Sequence, residues 1–175
     1  ELYQAELRPK RGSWLEMTVG RRQVIAVKVD RRRKMPVTVL LRAMGLGTDE
    51  EILEAFKDVS TNDELKLIEK TIEKDPTKTQ SEALIELYEK MRPGEPAVLD
   101  TAREYANGLF FNPRRYDLGL VGRYKMNRRL EIDVEEDNTV LTLEDVVATV
   151  AYLVKLQNKQ GYTDDIDHLS NRRIR

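Results

Sequence analysis

Trp14-Leu-Glu-Met-Thr-Val19 and Val24-Ile-Ala-Val-Lys-Val29, joined by Gly20-Arg-Arg-Gln23, decide the β part of the fold. Apolar and polar residues alternate along both runs with the period of two that a half-buried strand needs, and the short polar linker closes them into a hairpin. Leu15, Met17 and Val19 then share one face, and Trp14 falls on the other. Downstream the period becomes helical. Pro36 stands where the first turn of a helix accepts it, and apolar Val37–Met44 follows, stopped by Gly45. Thr48-x-x-Glu51, Thr61-x-x-Glu64 and Thr79-x-x-Glu82 each fit a capping box, in which hydroxyl and carboxylate satisfy orphan N–H groups. In the third of these helices Ala83, Leu84, Leu87, Tyr88 and Met91 recur at helical spacing up to Pro93-Gly94. Further helices are expected over 97–107, before Gly108, and over 118–127, where Gly119 and Gly122 weaken the pattern. Thr142-x-x-Asp145 opens a long last helix whose Leu143, Val146, Val147, Val150 and Val154 form one stripe, ending near Asn158 and Gly161. The acidic 131–138 segment reads as a loop. The expected class is α+β: a mostly helical domain with a small antiparallel sheet or hairpin.

At 175 residues and 40% hydrophobic the chain can bury a core of one domain or two small ones. No apolar run reaches the length of a membrane span and no signal peptide opens the sequence, which points to the cytoplasm. Cysteine is absent and His168 is the only histidine, so thiol chemistry and multi-histidine metal sites are excluded. Glu1 and Arg175 both look like cuts from a longer chain. Net charge is −1, but it is unevenly spread. Residues 1–45 hold 11 Lys/Arg against 4 Asp/Glu, residues 46–100 hold 7 against 15, and residues 101–129 hold 7 against 2. Two basic segments bracket an acidic one, as expected where one face meets phosphates and another meets solvent or protein.

Asp164-Asp-Ile-Asp167-His168 gathers three carboxylates and an imidazole, yet it lacks the glycine and ligand spacing of a calcium loop. Arg172, Arg173 and Arg175 stand ready as ion-pair partners, so a structural role is favoured over metal binding or acid–base work. Gly45-Leu-Gly47 and Gly119-Leu-Val-Gly122 match no phosphate-cradling pattern. Arg31-Arg-Arg-Lys34, Arg114-Arg115 and Arg123-x-Lys125-x-x-Arg128-Arg129 read equally as phosphate contacts, with Trp14, Tyr116 and Tyr124 as stacking surfaces, and as solvated or protein-facing runs. Trp14 alone reads as core or as platform.

Five strings carry more information: Arg11-Gly-Ser-Trp14-Leu-Glu16; Asp30-Arg-Arg-Arg-Lys34; Arg92-Pro-Gly-Glu-Pro96; Arg115-Tyr-Asp-Leu118 with Val121-Gly-Arg123; and Asp164-Asp-Ile-Asp-His-Leu169 with Asn171-Arg-Arg-Ile-Arg175. They resemble the bacterial RNA polymerase beta subunit, in that family's order. The resemblance implies the lobe that lines the downstream DNA channel, with 36–159 as the helical lobe and 1–35 and 160–175 as sheet or connecting segments leading to neighbouring beta domains. It implies that Trp14 stacks on an unpaired non-template base at the downstream edge of the transcription bubble. Ile166, Asp167 and Arg172 then help form a pocket for the adjacent flipped guanine. From the basic runs, Arg31, Arg32, Arg33 and Arg123 are expected to join the DNA-binding residues. Partners implied are the non-template strand and downstream duplex, the beta-prime and alpha subunits, a sigma factor and transcription regulators. The whole enzyme is a nucleotidyltransferase. This piece is expected to be non-catalytic and to hold no cofactor, because the polymerase's magnesium is bound by the beta-prime subunit. The alternative is a platform for sigma or regulators with weak DNA contact in isolation. Two departures from the family pattern stand out: Ser170 replaces the usual glycine, and the 130–142 connection is short beside relatives with insertions.

Overall fold

The structure is a computed structural model that describes residues 3–60 and 66–158. Within them four antiparallel strands lie in chain order: β1 (Gln4–Leu7), β2 (Leu15–Val19), β3 (Ile25–Val29) and β4 (Met35–Pro36). The hairpin forms as its alternation demands, with Leu15 opposite Val29, Met17 opposite Val27 and Val19 opposite Ile25. All six side chains are buried on the face turned to the helices. The linker closes through Gly20 N–H to Val24 O at 2.9 Å and Gln23 N–H to Gly20 O at 3.0 Å. The sequence signal for the two outer strands is small, since β1 carries a weak alternation and β4 is two residues long.

Among the described residues seven helices follow: α1 (Val37–Met44), α2 (Asp49–Ala55), α3 (Leu67–Lys74), α4 (Gln80–Met91), α5 (Leu99–Phe110), α6 (Leu120–Leu130) and α7 (Leu143–Gln157). Threonine hydroxyls cap three of them, Thr48 on Glu51 N–H, Thr79 on Glu82 N–H and Thr142 on Asp145 N–H. The expected box at Thr61 and Glu64 lies outside the described residues; α3 begins beyond it. Pro36 is the cap before α1 rather than its first helical residue, and Gly45 ends that helix at φ +144°. The fifth helix departs from expectation by running through Gly108 to Phe110. A mid-helix glycine costs about 1 kcal/mol relative to alanine. Burying Phe110 offsets this, since a fully buried aromatic returns about 1.5–3 kcal/mol.

The sheet's inner face and the helices share a single apolar cluster, so residues 15–36 are part of the same core as the helices. Central α1 packs on α4, α7 and β3, while α5 rests on α4 and α6 on α7. Long-range bonds tie the ends together. Tyr3 N–H donates to Gln157 Oε1 at 3.1 Å, and Ile25 N–H donates to Thr71 Oγ1 at 3.0 Å. Arg11 and Asp117 exchange backbone bonds of 3.0 and 2.8 Å, which fastens the α5–α6 connection beside the hairpin. Among the described residues, no helix is long and apolar enough to cross a membrane.

Candidate nucleic-acid interface

Side chains alternate across a strand, so the residues between the buried ones on β1, β2 and β3 make a second, outward face. Glu6, Glu16 and Lys28 form one row of it. One pleat further along, at the sheet's end, come Arg8, Trp14 and Asp30. Trp14 N–H donates to Asp30 Oδ1 at 2.9 Å, Asp30 N–H donates to Trp14 O at 2.9 Å, and the Ser13 hydroxyl donates to Asp30 Oδ2 at 2.8 Å. The carboxylate of Asp30 thus pins the strand end that carries the tryptophan. Asp30 and Arg31 both adopt left-handed backbone, φ +52° and +59°, and the resulting tight turn brings Arg31 back to Trp14. Such a conformation is uncommon for a residue with a Cβ, and aspartate is among those that tolerate it best.

Trp14 is half-buried and stands apart from the apolar cluster. Its ring is flanked by cations instead: the Arg8 guanidinium lies 4.8 Å and that of Arg31 5.5 Å from the ring centroid. Arg8 is ion-paired with Glu6, and Arg31 Nε lies 3.4 Å from Glu16 Oε1. Arg31, Arg32, Arg33 and Lys34 are all exposed. The open alternatives for Trp14 and this basic run therefore narrow to a half-exposed indole beside four solvent-facing cations. Electrostatically, such a surface could accept an anion carrying a flat ring.

Arg123 is a correction. Its side chain is fully buried and all five N–H donors are spent inside the protein. Nε–H donates to Asn138 O at 2.6 Å, and the two terminal nitrogens grip Asp145 at 2.5 and 2.8 Å while also reaching Asn127 Oδ1 and Val140 O. No donor remains for a phosphate. Asp145 in turn accepts from Thr142 N–H at 2.8 Å, so one buried carboxylate completes the capping box of α7 and anchors α6. The signal was present in the spacing: Arg123 lies three before Met126 and seven before Leu130, on the inward stripe of α6. The rest of the run splits. Lys125 and Arg128 are exposed, whereas Arg129 stacks 4.6 Å over Tyr152 and donates to its hydroxyl at 2.8 Å. Tyr116, a candidate stacking surface, is fully buried.

A second buried arginine, Arg42, escaped notice because the apolar run around it reads simply as core. It donates from Nε to Asp75 Oδ2 at 2.9 Å and from Nη1 to Gly47 O at 2.9 Å, and pairs through Nη2 with Asp49. The bond from Arg42 holds the Asp49 carboxyl below its ordinary range. An open cleft of about 680 Å³ beside α4 and α5 is lined by Tyr88, Arg92, Glu95, Glu104, Tyr105 and Arg115 among others. Its groups serve one another: the Tyr88 hydroxyl donates to Glu95 at 2.8 Å and Arg92 stacks on Tyr105 at 5.4 Å. Among the described residues, no cluster of three or more acidic or imidazole side chains could hold a metal ion. The Asp164–His168 cluster, and with it Ile166, Asp167, Ser170 and Arg172, lies outside the described residues.

The family model described as RNA polymerase Rpb2, domain 2, matches residues 1–175. The DNA-directed RNA polymerase subunit beta of Dehalococcoides mccartyi is 48% identical over 177 residues, covering 99% of this chain and 14% of that subunit. The subunits of the same name from Clavibacter michiganensis and Streptomyces coelicolor are 46% and 45% identical over 190 and 187 residues, each covering 100% of this chain and 16% of theirs. The chain thus spans about one-seventh of the length of the curated relatives it matches. With a match over every residue and near-half identity to three bacterial subunits, the chain belongs to the RNA polymerase Rpb2, domain 2 family.

Proposed function

We propose that this domain is a non-catalytic, DNA-guiding part of a cytoplasmic bacterial DNA-directed RNA polymerase, the lobe beside the downstream DNA. In this role Trp14 stacks on an unpaired non-template base at the bubble's downstream edge. Arg31, Arg32 and Arg33 attract the phosphate backbone. Ile166, Asp167 and Arg172 contribute to a pocket for the neighbouring guanine, where aspartate accepts from the Watson–Crick edge and arginine bonds the base or its phosphate. Nucleotidyl transfer and its magnesium belong to the assembled enzyme with its beta-prime and alpha subunits. The observation that carries the proposal is Trp14, the chain's one tryptophan, standing partly exposed outside the core with two arginines against its ring and a run of exposed cations beside it. The test is Trp14→Ala in the reconstituted polymerase. Binding to DNA with a premelted bubble should fall by about 1–3 kcal/mol, the worth of one base–aromatic stack. Nucleotide addition on a preassembled RNA–DNA scaffold should be nearly unchanged. Unaltered binding would remove the stacking role.

A second reading, a platform for sigma or a regulator, draws on another observation. On α6, Leu120 and Val121 are each 67% exposed and Tyr124 is 52% exposed, beside solvent-facing Lys125 and Arg128. An apolar patch rimmed by cations suits an acidic protein surface. Val121→Glu should weaken sigma or regulator capture by the assembled enzyme and leave bubble binding intact if this face serves proteins.

A further inference from the structure

In the register of the sheet Leu7 faces Leu15 and Leu15 faces Val29, so Arg8 and Asp30 flank Trp14 from opposite neighbouring strands. Behind this row Glu6 and Glu16 stand directly opposite each other, a pairing of like charges that is unfavourable unless neutralised. Each is neutralised by an arginine, Glu6 by Arg8 and Glu16 by Arg31. These are the same two arginines that lie against the indole. They are not equivalent. Arg8 is nearer the ring and its side chain is only 33% exposed, whereas Arg31 is farther, 72% exposed, and held by a longer contact of 3.4 Å on a left-handed turn.

We propose that the two arginines divide the work of a single-sided nucleotide site: Arg8, tethered by Glu6, backs the indole and positions it, while Arg31 yields its place to an incoming nucleobase and moves to the nucleotide's phosphate. This rests on the stacking role proposed for Trp14. An indole with both faces open could slip between two bases. One backed by Arg8 can take one base, and the cation behind it keeps the ring from folding back when the site is empty. Arg31 has the freedom to leave, because its side chain is 72% exposed and its contact with Glu16 is a long 3.4 Å, and its guanidinium can bond a phosphate in turn. Arg8 is therefore a positioning residue that acts through Trp14, and Arg31 a direct anion contact.

The test uses whole polymerase reconstituted with beta-subunit variants, its affinity for premelted-bubble DNA measured across a salt series. Arg31→Ala should make the plot of log affinity against log salt shallower by about 0.7, the release of one counterion from a single strand. Arg8→Ala should lower affinity by about two- to fivefold at every salt concentration, the effect of one exposed cation–π contact, and leave the slope unchanged. In a Trp14→Ala background Arg8→Ala should have no further effect. Glu6→Gln, which keeps Arg8 and removes its tether, should reproduce part of the Arg8→Ala loss, again without changing the slope. If Arg8→Ala also flattens the salt dependence, or still weakens binding when Trp14 is gone, Arg8 touches the nucleic acid itself and the proposed division is wrong. If Trp14→Ala alone leaves affinity unchanged, the stacking role fails first and the division falls with it. The two failures are thus told apart: a silent Trp14→Ala ends the stacking role, whereas a changed slope for Arg8→Ala or a further loss in the double variant ends the division alone.

Discussion

Arginines that look alike in the sequence meet opposite fates in this chain. Arg31 and Arg123 each open a basic run, yet one is solvent-exposed and the other is sealed against Asp145. Replacing Arg123 with alanine removes one partner of a buried, fully hydrogen-bonded pair and leaves the Asp145 carboxylate without its cation. That should cost about 3–5 kcal/mol of folding stability. The exposed Arg128→Ala should change it by about 0.5 kcal/mol or less. Denaturant unfolding of the two variants side by side decides the point, and similar midpoints would contradict the burial of Arg123. Trp14, just before β2, and Met17, three residues on within it, make a second contrast. Met17 is fully buried, so Met17→Ala should cost about 2–5 kcal/mol. Trp14→Ala loses two exposed cation–π contacts and should cost about 1–2 kcal/mol. A larger loss at Trp14 than at Met17 would make the tryptophan a core residue.

The elements most legible in the sequence were those whose signal is local. Alternation gave the hairpin, and a threonine followed three residues later by an acid gave the starts of α2, α4 and α7, because a cap is a contact between near neighbours. What stayed hidden depends on distant partners. β1 exists because its backbone pairs with β2, and Phe110 extends α5 past a glycine because the core has room for it. Arg42 and Arg123 became buried because carboxylates from other elements, Asp75 and Asp145, wait inside. In the candidate site, Trp14 and Arg31 were visible as types, but their meeting depends on the turn at Asp30 and on cross-strand register. At Thr142 local and distant logic coincide, since the hydroxyl caps α7 while Asp145, the acid of the box, also grips Arg123. Thr142→Ala should cost about 1 kcal/mol, as for an ordinary cap. Asp145→Asn should cost more, because it weakens cap and ion pair together. Equal losses would mean that Asp145 acts on the cap alone.

At the scale of the whole molecule the charge is sorted. The acidic 46–100 segment carries α2, α3 and α4, while cations gather around Trp14 at the end of the sheet and on the outward side of α6. The same sorting makes the fold depend on its carboxylates staying ionised. Asp49 is held below its ordinary value of 3.8 by the bond from Arg42, Glu95 below its value of 4.5 by the Tyr88 hydroxyl, and Asp117 below 3.8 by the N–H of Gly119. A carboxyl whose folded pKa lies below its unfolded one binds fewer protons when folded. Its stabilisation is complete above the unfolded value and is lost as pH falls through the folded one. Stability should therefore hold nearly level from neutral pH down to about 5 and then decline steadily as these groups are protonated. Asp49 ties α2 to the buried Arg42 of α1, and Lys78 approaches it at 3.6 Å. Asp49→Asn should lower stability at pH 7 and flatten the acid limb, because one titrating group no longer contributes. The measurement is the denaturant midpoint of wild type and Asp49→Asn between pH 2 and 7. Parallel acid limbs would show that Asp49 takes no part in the acid response, and that the Arg42 cluster holds these helices by packing rather than by charge.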